Sequence, residues 1–184
     1  MKNKKTLLII FSVILLTGIV FLAFGMLDKN KQSKIICPTE KPTPSSFGND
    51  QLEKFITDYL LTQKYFSWKT TTDSRNFCVI EDLNPKNALL FPLYVWVRCG
   101  EFVLQNVKLE ELSGISVPAK INYLNELSYR DLSKVSYEVP RDGSFYPKDI
   151  KTIFPLDVQK AIFCFDVANL NKKLESAALS GLGK

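Results

Sequence analysis

One stretch of this sequence constrains the cellular location of the protein more strongly than any other feature does. Residues 6–27 contain no charged side chain. As an α-helix they are about 33 Å long, which matches the roughly 30 Å hydrocarbon core of a bilayer. We therefore predict a transmembrane anchor over residues 6–27 that contacts membrane lipid.

The charges around the anchor indicate its orientation. Lys2, Lys4 and Lys5 precede it, and lysines also follow it, so the bias toward a cytoplasmic N-terminus is modest. We predict a single-pass protein of the cell membrane with an extracytoplasmic C-terminal domain. The alternative is secretion, because Ala23-Phe24-Gly25 resembles a signal-peptidase site and cleavage near Gly25 would release the domain.

The rest of the chain divides by composition. Pro38, Pro42 and Pro44 stand among Ser and Thr residues, which is typical of an extended spacer. About 115 residues of mixed polarity then follow, enough for one hydrophobic core. The predicted organisation is a cytoplasmic tail (1–5), an anchor (6–27), a spacer (28–49), an extracytoplasmic domain (50–165) and a C-terminal helix or tail (166–184).

The net charge of the domain argues against nucleic-acid binding. Residues 1–31 hold five lysines and one aspartate, which leaves 19 of the 24 basic and 18 of the 19 acidic residues in the remainder. A nucleic-acid reader concentrates positive charge on its folded surface. We therefore predict no nucleic-acid partner.

The hydrophobic periodicity predicts an α+β domain. Apolar residues recur at helical spacing after Asp50, and strands are expected near 77–83, 93–104, 109–123 and 134–139. Pro118 and a bulge at Ser113-Gly114 are expected to perturb the third strand. A short helix is expected from Lys148, and a longer one over residues 156–174. This order predicts a helix packed on an antiparallel sheet of about four strands, with helices on one face, as in cystatin-like folds.

Three segments resemble uncharacterised bacterial proteins that are secreted or tethered to a membrane. These segments are W-V-R-C-G-E-F, S-G-I-S-V-P and V-P-R-D-G-S-F-Y-P-K-D-I, within residues 96–150. The resemblance implies an extracytoplasmic location and a shared domain. It implies no activity and no catalytic residue.

The absence of histidine limits the possible chemistry. Without this residue the chain cannot form Ser-His-Asp or Cys-His nucleophiles, and most zinc sites and the usual general base near neutral pH are excluded. A carboxylate pair drawn from Glu101, Glu110, Glu111 and Asp142 would still allow glycosidase-like hydrolysis. The alternative interpretation is that each of these carboxylates is an ordinary surface or turn residue without a catalytic role. We predict no catalytic residue, no metal site and no cofactor.

The four cysteines, Cys37, Cys78, Cys99 and Cys164, all follow the predicted anchor. In an oxidising compartment they allow three complete pairings. We predict a Cys78–Cys99 disulfide, because neighbouring antiparallel strands bring Cα atoms within bridging distance. The alternative is buried free thiols, with Cys37 unpaired in the spacer.

Four residues of the second predicted strand are candidates for ligand binding: Arg98, Trp96, Tyr94 and Glu101. An Arg between apolar residues of a central strand needs a partner, either a structural carboxylate or aromatic ring, or a ligand. The leading functional hypothesis is a membrane-tethered binding or interaction module for an envelope protein or polymer. The alternative is a carboxylate-dependent hydrolase of envelope material.

Overall fold

The computed structural model describes residues 37, 50–85, 92–123 and 131–183. The predicted cytoplasmic tail and the anchor over residues 6–27 lie outside these residues, as does the spacer apart from Cys37. Among the described residues, no helix has the length and apolar character needed to cross a bilayer.

The structure confirms the α+β prediction. Helix α1 (Asp50–Leu61) precedes strands β1 (Arg75–Asp82), β2 (Leu93–Gln105), β3 (Lys108–Asn122) and β4 (Ser136–Glu138). Helices α2 (Tyr146–Ile153), α3 (Leu156–Phe163) and α4 (Ala168–Leu182) follow. The strands form one antiparallel sheet in the order β1-β2-β3-β4.

Helices cover both faces of the sheet, so the prediction of helices on one face is wrong. Leu52 and Ile56 of α1 pack against Val95 and Val97 on the first face. Leu170 and Leu174 of α4 pack against Val79 and Phe102 on the opposite face. Alternate residues of β2 are therefore buried under different helices, as the period of two of a strand requires. The domain thus has three layers.

The single helix expected over residues 156–174 is two helices in the structure. Phe165 stacks on Trp96 with ring centroids 4.6 Å apart, and Asp166 Oδ1 accepts a hydrogen bond of 3.0 Å from the Ala168 N–H. The Asp166 side chain thus satisfies one of the free N–H groups in the first turn of the second helix, whose N-cap residue is Val167. Helix α4 then continues to Leu182 and packs on β1 and β2, so residues 168–182 belong to the same layered unit.

The β2–β3 connection is a two-residue hairpin turn with an unusual residue. Asn106 and Val107 have φ of 51° and 67°, and Gln105 pairs with Lys108 on either side. Positive φ at both central positions is the pattern of a type I′ turn, which favours Asn-Gly. Because Val107 is β-branched, its positive φ strains the backbone. Its side chain is 91% exposed and does not contribute to the core.

Replacing Val107 with Gly is therefore expected to raise the free energy of unfolding by about 1 kcal/mol, because Gly adopts positive φ without steric cost. Urea unfolding followed by circular dichroism measures the change. In the control variant Gln105→Gly, the same residue enters extended strand backbone, and stability is expected to fall by about 0.5–1 kcal/mol. A decrease for Val107→Gly would contradict the assignment of strain to this turn.

The third segment of the bacterial resemblance forms the connection from β4 to α2. The backbone N–H of Arg141 donates to Asp149 at 3.0 Å, and its guanidinium donates to both carboxylate oxygens at 2.8 Å. The guanidinium also lies 4.4 Å from the Phe145 ring centroid. Hydrogen bonds from the Arg141 guanidinium and N–H lower the pKa of Asp149 far below its usual value. The conspicuous residues of this segment are thus used to fold a turn.

Candidate functional site

The other two segments of the resemblance are cross-strand partners. In the register of β2 and β3, Trp96 pairs with Pro118, Arg98 with Ser116, Gly100 with Gly114, and Glu101 with Ser113. The register then shifts by one residue, and Phe102 lies opposite Glu111. The extra residue of this bulge is Leu112, next to the predicted Ser113-Gly114 position. The two segments therefore form one continuous patch of sheet, with distinct sets of side chains on its two faces.

Two facing glycines leave space on the α4 side of this patch. A Cβ on Gly114 would collide with the Arg98 guanidinium and the Glu111 carboxylate, and a Cβ on Gly100 would lie 2.7 Å from the Phe102 ring. Residues with side chains would fill this part of the sheet surface. Gly100 and Gly114 instead allow a charged pair and an aromatic ring to lie directly on the backbone.

Arg98 occupies that space and is held by three groups from different parts of the chain. Its Nη2 donates to Glu111 Oε1 at 2.5 Å, its Nε to Asn171 Oδ1 at 2.9 Å, and its Nη1 to the Cys99 carbonyl at 2.7 Å. The Arg98 side chain is 13% exposed and that of Glu111 is 35% exposed. The guanidinium thus links β2, β3 and α4. An Arg on a central strand was expected to need a partner, and Glu111 and Asn171 are its partners.

A groove of about 320 Å³ opens beside this ion pair. Polar groups and small apolar side chains line it: Arg98, Glu111, Gly114, Ile115, Ser116, Val167 and Asn171. We call this surface the Arg98 groove. A guanidinium has five N–H donors, and the three contacts above use three of them. Two N–H groups of Arg98 are thus left for a ligand oxygen, and the Glu111 carboxylate and the apolar side chains of Ile115 and Val167 also line the groove.

The structure separates the four residues predicted to bind a ligand. Trp96 reaches the edge of the Arg98 groove, because its indole N–H donates to Ser116 Oγ at 2.8 Å, but its ring is stacked on Phe165. Tyr94 lies farther along the same face and packs on Phe154, with ring centroids 5.9 Å apart. Only Arg98 among the four lines the groove.

Glu101 lies on the opposite face of the sheet and is fully buried. Its carboxylate accepts hydrogen bonds from the Thr70 N–H at 2.6 Å, from the Thr70 hydroxyl at 3.0 Å, from the Ser113 hydroxyl at 3.1 Å and from the Ser74 hydroxyl. Burial alone would raise the pKa of Glu101, but these bonds, that of Ser74 foremost, outweigh it and lower the pKa to about 2. We call this cluster the Glu101 network. It ties the loop before β1 to the sheet.

This charge state bears on the hydrolase hypothesis. A general acid of a glycosidase needs a raised pKa, whereas Glu101 is held as an anion and has no exposed surface. Glu111 is bound to Arg98. Asp142 lies at the exposed turn before Gly143. No observation on these residues favours acid and base roles.

The cysteines form two disulfides. Cys78 and Cys99 are register partners on β1 and β2 with Cα atoms 4.1 Å apart. Cys37 is bonded to Cys164 at the end of α3, with a Cα separation of 5.5 Å. The first bridge is the one predicted from the strand pairing, and the second takes up the spacer cysteine. Within the described residues, no group of three potential metal ligands occurs.

Sequence reasoning missed most of the Arg98 groove. From the sequence, Glu111 is either one of a possible acid and base pair or a surface carboxylate, and Gly114 is part of a bulge; neither is predicted to contact Arg98. The β2–β3 register would have revealed Ser116 as the partner of Arg98. For Asn171 and Val167 the sequence has no signal, because they reach the groove only through the packing of α4.

Comparisons with family models, with curated proteins and with solved structures found no match to this chain.

Because the Arg98 guanidinium links β2, β3 and α4, replacing it with Met should lower the free energy of unfolding by about 1–2 kcal/mol. The variant would leave the Cys99 carbonyl and the Asn171 side chain without their donor. Thermal unfolding measures the change. The control is Lys54→Met, which removes the exposed pair with Asp58 and should cost less than about 0.5 kcal/mol. Unchanged melting of Arg98→Met would refute the structural role.

Proposed function

We propose that this chain is a single-pass, membrane-tethered binding module whose domain lies outside the cytoplasm and whose ligand-contacting surface is the Arg98 groove. The pairing of all four cysteines carries the location. Disulfides form and persist in oxidising compartments and are rare in the cytosol, and Cys37, Cys78, Cys99 and Cys164 are all bonded. The uncharged residues 6–27 supply the anchor.

The Arg98 groove supports a binding role because different polar groups converge in it beside apolar surface. This is the usual composition of a recognition site, in which a few polar groups fix orientation and apolar contacts add affinity. Its guanidinium is prepositioned by Glu111 and Asn171. A ligand with carbonyl or carboxylate oxygens next to a small apolar group fits this chemistry, and envelope proteins and polymers both contain such groups.

A topology measurement tests the location. Protease added to intact spheroplasts should digest the domain of the full chain, whereas a cytoplasmic domain would resist until the membrane is broken. The same samples show whether the anchor is retained, because cleavage near Gly25 shortens the chain by about 25 residues. Protection of the domain in intact spheroplasts would refute the proposed location.

Co-sedimentation with the insoluble, lipid-free envelope fraction tests the groove. Val167→Phe places a large ring in the Arg98 groove, and the matched variant Val107→Phe adds the same ring at the exposed hairpin turn. We expect Val167→Phe to weaken binding at least about tenfold, equivalent to about 1.4 kcal/mol, and Val107→Phe to bind as wild type does. Equal binding by both variants, or no sedimentation of wild type, would refute the groove as the binding surface.

A further inference from the structure

Helix α3 has an apolar stripe on its exposed side in addition to the face that it buries. Val158 and Ile162 are buried in the core. Leu156 and Phe163, by contrast, are 65% and 54% exposed. These two residues are seven positions apart, which is close to two helical turns, so they lie on the same side of the helix. Exposed Lys160 lies between them and forms an ion pair of 3.5 Å with exposed Asp157. We call Leu156, Lys160 and Phe163 the α3 stripe.

The Cys37–Cys164 disulfide fixes where the spacer meets the domain. Cys164 directly follows Phe163, so the bonded spacer residue is next to one end of the α3 stripe. Ten residue steps separate Leu27, the last residue of the predicted anchor, from Cys37. Fully extended, ten residues reach about 35 Å. Without the disulfide, the 23 steps from Leu27 to Asp50 would reach about 80 Å.

The shortened tether limits how the domain can be turned. A domain of about 150 residues has a diameter of about 40 Å, from the usual scaling of the radius of gyration. A tether of about 35 Å, attached at Cys164, is shorter than that diameter. The side of the domain that carries Cys164, and with it Phe163, therefore cannot point directly away from the bilayer, and it lies within about 35 Å of the bilayer surface.

From these observations we infer that the α3 stripe docks on the bilayer surface. Leu156 and Phe163 insert their side chains at the boundary between head groups and acyl chains, and Lys160 lies at the level of the phosphates. An interfacial helix has Leu and Phe on one face and basic residues on the polar side next to it, and in α3 Lys160 is the basic residue next to Leu156 and Phe163. This inference rests on the proposed tether and names the lipid surface as a second partner, distinct from the ligand of the Arg98 groove.

Fluorescence quenching tests the docking on the full chain reconstituted in phosphatidylcholine vesicles whose acyl chains carry bromine near the head groups. Phe163→Trp places a probe in the α3 stripe, and Val107→Trp places the same probe at the hairpin turn. Native Trp68 and Trp96 contribute equally to both variants. We expect the added emission of Phe163→Trp to fall about twofold or more in brominated vesicles, as befits apolar insertion, and that of Val107→Trp to stay unchanged.

A third variant adds Cys37→Ser and Cys164→Ser to Phe163→Trp. Its longer tether no longer holds the stripe at the surface, so quenching should decrease. Vesicle flotation separates the two proposals. A chain that does not float with vesicles overturns the tether and the docking together. A chain that floats while Phe163→Trp and Val107→Trp are quenched equally overturns the docking alone. A blue shift of Phe163→Trp without quenching would mean that protein covers the stripe, and this too overturns the docking.

Discussion

Replacing Glu101 with Gln is expected to lower the free energy of unfolding by about 3 kcal/mol at neutral pH, although the side chain keeps its size. The carboxylate of the Glu101 network accepts hydrogen bonds from Thr70, Ser74 and Ser113. A Gln amide keeps one acceptor oxygen and replaces the other with an NH2 group, so either the Thr70 N–H and the Ser74 hydroxyl or the Ser113 hydroxyl loses its acceptor. A buried polar group that loses its partner costs about 1–3 kcal/mol, and more where the partner is charged.

The pH dependence follows from the pKa of about 2 in the folded protein. Because the folded value lies below the ordinary value of 4.5, the network stabilises the domain fully above about pH 5. Its contribution is lost as the pH falls toward 2. The difference in stability between wild type and Glu101→Gln should therefore be largest near pH 7 and shrink between pH 5 and pH 2.

Urea unfolding at pH 7, 4 and 3 measures both effects. The control is Glu175→Gln on the exposed side of α4, which should change stability by less than about 0.5 kcal/mol at each pH. If Glu101→Gln and Glu175→Gln behaved alike at pH 7, Glu101 would not be the buried anion described above.

Removing the Cys78–Cys99 disulfide has the second large expected effect. Replacing both residues with Ala should lower the free energy of unfolding by about 3 kcal/mol, because the bridge closes a loop of about 20 residues in the unfolded chain. The folded strands stay paired through the β1–β2 register, so little freedom is regained in the native state. Both cysteines are also buried, and the lost volume adds to the cost.

The Cys37–Cys164 bridge provides the comparison. Its 127-residue separation would predict a larger effect, about 5 kcal/mol, from the same loop-closure entropy. However, breaking it also frees Cys37 from the end of α3 in the native state, which offsets much of that entropy. We expect Cys37→Ser/Cys164→Ser to cost less than the Cys78/Cys99 double variant in denaturant unfolding. The reverse order would mean that the spacer is held by contacts other than the disulfide.

These predictions separate what the amino-acid sequence determines from what packing decides. Local patterns were enough for α1 and all four strands, because apolar periodicity and turn residues act within a few positions. The expected strand order also favoured Cys78–Cys99 among the three complete pairings that four cysteines allow, because neighbouring antiparallel strands bring Cα atoms within bridging distance. The anchor over residues 6–27 likewise follows from local composition alone, and it remains a prediction.

The roles of the individual polar residues depended on the tertiary structure. Arg98 and Glu101 are three residues apart in one strand, and from the sequence alone both were predicted to be ligand-binding residues. The period of two along β2 instead points them to opposite faces, one into an open groove beside α4 and the other into a closed network under the loop before β1. Asn171 and Phe165 reach the β2 face only because the C-terminal helices fold back over it. Such long-range contacts are set by the packing of whole elements, for which no short stretch of sequence has a signal.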